Sequence, residues 1–137
     1  MPSWSLHPQL ETDTWVIGDL ELSRLLLMKD ANYPWLVLVP QRDGARDLID
    51  LTETDRIQLT KETDRIARAL KEITNCDKLN VAALGNMVPQ LHVHIIARRT
   101  TDAAWPRPVW GVVPPVAYEA AAANALTRAL REKTGLS

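Results

Sequence analysis

The chain has 137 residues, 46% of them hydrophobic, with 16 Lys and Arg against 17 Asp and Glu for a net charge of −1. That is the length of one domain with material for a core, and the near-neutral balance excludes a general basic field for nucleic acid or an anionic membrane. No run of about 18 apolar residues reads as a membrane span, and no basic-then-apolar N-terminus reads as a secretory signal. One cysteine, Cys76, cannot form an internal disulfide, so cytoplasmic placement is expected.

Residues 1–14, with Pro2 and Pro8, read as an N-terminal arm holding at most a short helix near residues 7–10. His7 is expected on ordinary surface. Residues 15–20 read as a short strand and 22–28 as a stronger one. Residues 29–34 carry Asp30, Asn32 and Pro34, which are turn-forming side chains. Residues 35–39 follow as an apolar, β-branched strand closed by Pro40. The continuous apolar runs of this antiparallel hairpin imply burial on both faces.

Residues 41–50 read as a polar loop. A helix starts at Thr52, with Asp55 three residues on in a near capping-box arrangement. Leu59, Ile66, Leu70 and Ile73 give it one apolar stripe to about Thr74, and its Glu, Lys, Arg and Asp side chains are expected in solvent. Residues 78–84 read as a strand, 85–89 as a bend, and 90–98 as a strand closed by Arg98 and Arg99. Residues 100–115, with Pro106, Pro108, Pro114 and Pro115, read as irregular. Tyr118, Ala122, Ala125, Leu126, Ala129 and Leu130 predict a helix over about 116–133, with Gly135 as its stop. The fold class is α+β, a single domain over 1–137 built on an antiparallel sheet, one long central helix and a C-terminal helix.

The stretch Gln90-Leu91-His92-Val93-His94-Ile95-Ile96-Ala97 carries the chemistry. With a period of two, Leu91, Val93, Ile95 and Ala97 form an apolar side suited to a core. Gln90, His92 and His94 form the other side, spaced roughly 6.6–7 Å apart along the strand. Neutral imidazoles are both nucleophiles and proton carriers near pH 7. Such a pair also suits zinc, but His7 and Cys76 are the only other His or Cys, and no Asp or Glu lies between Asp77 and Asp102. No metal and no cofactor is therefore expected. The plain alternative is two half-buried histidines satisfied by hydrogen bonds. Against it stand Asn80, Gly85 and Asn86, since glycine permits close backbone approach to a ligand and Asn86 offers donors and an acceptor.

The run Gly85-Asn86-Met87-Val88-Pro89-Gln90-Leu91-His92-Val93-His94-Ile95-Ile96 resembles the signature of the histidine triad (HIT) superfamily, within which it looks like the Hint and Fhit nucleotide hydrolases. The likeness runs from about Leu20 to Trp110 and includes the order of hairpin, long helix, strand, histidine strand and Trp-bearing tail. It implies a homodimer that binds nucleotides and acts on their α-phosphate as a hydrolase or transferase. On this resemblance His92 is the nucleophile that forms a nucleotidyl-histidine, and His94 contacts phosphate and leaving group. Asn86 and Asn80 are implied to hold phosphate or the binding loop. The continuous apolar strands of one small sheet leave surface for a dimer to cover, with Tyr33, Trp4 and the Trp-rich tail as candidates to help cover it, and Trp105 or Trp110 is implied to wall the nucleotide pocket across the dimer.

Three residues depart from the pattern. Gln90 stands in place of the first histidine, Trp35 where a further histidine usually opens its strand, and Met87 in place of Ser or Thr. If the first two changes are coupled, an indole packed beside the Gln90 amide leaves no room for a second ring. The leading expectation is hydrolysis of a dinucleoside polyphosphate, phosphoramidate or adenylate. Its rival is a non-catalytic or weakly active nucleotide-binding module that works through partners.

Overall fold

In the computed structural model, residues 3–136 are described. The N-terminal arm leads into helix α1 (Pro8–Asp13), followed by strands β1 (Thr14–Asp19), β2 (Ser23–Met28) and β3 (Trp35–Pro40). A 3-10 turn at Leu48–Asp50 precedes helix α2 (Glu53–Thr74). Strands β4 (Lys78–Ala82) and β5 (Val93–Arg98) and helix α3 (Ala120–Thr134) complete the chain. The sheet has five strands in the order β1-β2-β3-β5-β4, and every neighbouring pair is antiparallel. This is the expected α+β architecture.

Local sequence accounts for the ends of α2. The Thr52 hydroxyl accepts from the Asp55 N–H at 3.1 Å, and Asn75 closes the helix in the left-handed region at φ 49°. Its apolar stripe buries Leu59, Ile66 and Leu70 against the sheet, each worth roughly 1.5–3 kcal/mol when fully buried. One residue departs from the solvated reading of its charged side chains. Glu62 is buried and its carboxylate accepts from the Leu22 and Ser23 N–H groups at 2.7 and 3.0 Å, tying α2 to the start of β2.

The period of two sorts the sheet into two faces. Leu36, Leu38, Val93 and Ile95 meet α2 and α3 in the larger core. Trp35, Val37, Val39 and Ile96 face the other way, and that face is covered by Leu10 of α1 and by Ala104 and Val109 of the tail, with Trp4, Leu6 and Val112 alongside. Residues 100–115 form neither helix nor strand, as expected, yet they supply Ala104 and Val109 to this second core. Both faces of β3 are buried along its whole length. No described helix is long and apolar enough to cross a membrane.

Candidate active site

Strand β5 begins at Val93, so Gln90, Leu91 and His92 lie just ahead of it rather than within it. The alternation still runs through them. Leu91 joins the helix-side core, while the His92 and His94 rings sit on the opposite face with centroids 4.8 Å apart. Both rings are nearly buried, at 6% and 4% exposure.

Each ring is held by a different partner. His92 Nδ1 lies 2.6 Å from the Gln90 carbonyl oxygen. A carbonyl only accepts, so Nδ1 carries the proton and Nε2 keeps its lone pair. Trp35 donates its indole N–H to His94 Nδ1 at 2.9 Å. Trp110 closes an aromatic cluster, its ring 5.0 Å from His94 and 5.7 Å from Trp35.

Two clefts meet at His92. A cavity of about 280 Å³ is bounded by Leu10, Met28, Asn86, His92, His94 and Trp110. A second, of about 290 Å³, is bounded by Arg46, Ile49, Ala83 and Leu91. His92, Leu84 and Gly85 border both. Gly85 sits at φ +77°, a left-handed conformation that side chains rarely adopt, so the bend that brings Asn86 to the cleft depends on glycine. Among the described residues, no three His, Cys, Asp or Glu side chains converge as metal ligands.

Several residues singled out in the sequence stand elsewhere. The Gln90 amide faces the N-terminal arm, its Oε1 accepting from the His7 N–H at 2.8 Å and its Nε2 donating to the Ser5 carbonyl at 2.9 Å. The chain at His7 is thus a docking point rather than ordinary surface, and its ring accepts from the Gln9 N–H to cap α1. Trp35 pairs with Ile96 across the ladder, six positions beyond Gln90, and its indole reaches His94. Gln90 and Trp35 engage different partners, which removes the volume argument for coupling them. Asn80 accepts from Arg98 at 2.8 Å and does not border either cleft. Trp105 stacks 5.6 Å from the Arg98 guanidinium, away from the histidines. Trp110 borders the cleft within this chain. Arg46 also lines a cleft, although nothing in the sequence of its loop beyond general polarity marks it.

Burial disfavours the charged form of both imidazoles. For His92, burial and the charge of His7 outweigh the Gln90 carbonyl bond and bring the ring below its ordinary 6.5. For His94, burial and then His92 bring it to about 3. Both are neutral at pH 7, and the folded chain binds fewer protons than the unfolded one. Their stabilising contribution is therefore present above pH 6.5 and lost as pH falls below it. Thermal midpoints measured from pH 7 to 5 are expected to decline in the parent and to decline less in His94→Gln. Equal slopes in the two proteins would contradict this assignment.

A buried pair of neutral imidazoles at a glycine bend, with His92 bordering two clefts and His94 one of them, is the arrangement of a histidine-based site. The comparisons agree with that class. The HIT domain matches residues 9–101, two thirds of the chain, and the protein belongs to the HIT family. Solved structures of histidine triad proteins superpose closely. That from Bradyrhizobium japonicum is 63% identical, covers 97% of this chain and 99% of its own, and gives a TM-score of 0.96. That from Sinorhizobium meliloti is 42% identical over 95% of this chain and 96% of its own, with a TM-score of 0.93. That from Marinobacter aquaeolei is 39% identical over 99% of this chain and 100% of its own, with a TM-score of 0.94. Among curated proteins nothing matches.

Proposed function

We propose that the protein is a nucleotide hydrolase that works through a nucleotidyl-histidine at His92. The observation that carries this reading is the 2.6 Å bond from His92 Nδ1–H to the Gln90 carbonyl, which leaves Nε2 as the nucleophile. The Nε2 lone pair attacks the α-phosphorus of a dinucleoside polyphosphate, phosphoramidate or adenylate, and the bond to the leaving group breaks with its electron pair. The carbonyl stabilises the imidazolium that results, and His94 and Asn86 supply donors to the phosphoryl oxygens. Water then attacks phosphorus, the pair of the P–N bond returns to Nε2, and a nucleoside monophosphate leaves with a proton released to solvent. In this reading Gln90 stands at the first triad position and serves as the strut of the arm, not as a proton carrier.

The rival reading, a binding module without turnover, draws on the same two departures at Gln90 and Trp35. Brief incubation with a nucleotide labelled at the α-phosphate separates them. A covalent label that is acid-labile and maps to His92 is expected, and reversible binding with no label at any time point would favour the rival.

A further inference from the structure

We propose that Trp35 is a positioning residue that locks His94 as a neutral hydrogen-bond donor, and that the enzyme consequently cleaves phosphoanhydrides in preference to phosphoramidates. The inference rests on the hydrolase reading above and narrows its substrate class.

The indole fixes the direction of its bond to His94. Trp Nε1–H donates and never accepts. Because it points at His94 Nδ1 from 2.9 Å in a buried setting, Nδ1 holds the lone pair and the single proton of the ring sits on Nε2. The two imidazoles therefore carry opposite tautomers: His92 has its lone pair on Nε2, and His94 has its proton there. A second proton on His94 would have to enter at Nδ1, against the indole N–H, with the Trp110 ring 5.0 Å away and His92 beside it. A histidine in Trp35's place could turn an acceptor toward Nδ1 and permit that proton. An indole cannot.

This decides what can leave. When His92 displaces a phosphate or carboxylate, the P–O bond breaks and the departing oxygen carries the pair away as a stable anion. The neutral Nε2–H of His94 only has to donate a hydrogen bond. When His92 displaces an amine, the P–N bond breaks and the nitrogen must gain a proton as it leaves. A doubly protonated His94 could give that proton and remain a neutral ring. The locked ring has one proton, and surrendering it would leave an imidazolate. General acid assistance is commonly worth about 100-fold or more, so selectivity of that order is expected.

The test compares diadenosine triphosphate with adenosine phosphoramidate on the full-length protein, alongside nitrogen-15 spectra of the histidine rings. In the parent, kcat/KM for the triphosphate should exceed that for the phosphoramidate by roughly 100-fold, and His94 should show a protonated Nε2 and a bare Nδ1. In Trp35→His the ratio should collapse toward unity, mainly through a rise in kcat for the phosphoramidate. Equal cleavage of both substrates by the parent would overturn the selectivity while leaving the hydrolase intact. Cleavage of neither would overturn the hydrolase reading and the selectivity with it. The spectra decide the role of Trp35 in every case, because a protonated His94 Nδ1 in the parent would refute the lock whether or not the enzyme turns over.

Discussion

His92→Ala is expected to abolish nucleotide hydrolysis while nucleotide binding persists. A covalent nucleophile cannot be replaced by its neighbours, and loss of one commonly lowers turnover by roughly four orders of magnitude or more. The contacts of the ground state are spread more widely. Leu10, Met28, Asn86 and Trp110 border the cleft independently of the His92 ring, so the dissociation constant should move far less than kcat. The variant also loses the donor to the Gln90 carbonyl, a change worth about 1–3 kcal/mol if that oxygen is left without a partner. Single-turnover kinetics and a nucleotide titration on the same preparation separate these effects. Near-normal turnover would exclude attack by His92 and point to direct attack by water.

Much of this was legible in the residues because the relevant signals are local. The period of two around His92 and His94, the apolar run of β3 and the 3.6-residue stripe of α2 each depend on a few neighbours in sequence, and each is present, although strand pairing in β5 starts only at Val93 rather than at Gln90. The second core was not legible. Leu10, Ala104 and Val109 are separated by up to a hundred residues and lie in segments with no periodicity at all, so only their meeting on the far face of the sheet reveals them as core. Glu62 illustrates the same limit. Its position on a helix with many charged residues gives no sign that the N–H groups of Leu22 and Ser23, at the start of β2, lie opposite it. Trp35 was conspicuous as a departure, but its role depends on the β3–β5 register and the length of an indole, neither of which a motif contains. Trp110 reaches the cleft only by the path of the tail, a segment whose residues carry no periodic signal.

That path depends on one buried ion pair, and Arg98→Ala is expected to cause the largest loss of stability among the substitutions considered. Arg98 and Asp102 expose only 2% and 7% of their side chains. The guanidinium meets the carboxylate through two bonds, Nε–H to Oδ2 at 2.7 Å and Nη2–H to Oδ1 at 3.0 Å, and Nη1–H donates to Asn80 at 2.8 Å. Asp102 in turn accepts from the N–H groups of Arg99, Ala104 and Trp105. It thereby shapes the turn that carries the tail toward Trp110. Burial pushes the Asp102 carboxyl up, but the Arg98 bonds and the Arg99 and Trp105 N–H groups outweigh it and hold the group below its usual range. Its stabilising contribution is then present at neutral pH and lost as pH falls through that range. Removing Arg98 strands a buried carboxylate, and breaking such pairs costs about 3–5 kcal/mol. Replacing both partners, as in Arg98→Met with Asp102→Asn, should cost distinctly less than the sum of the single changes, because no bare charge remains. Urea denaturation of the parent, Arg98→Met, Asp102→Asn and the double variant measures the coupling directly, and Arg98→Ala is measured beside them. A loss below about 1 kcal/mol for Arg98→Ala, in the range of an exposed ion pair, would show that the tail holds its course without this contact.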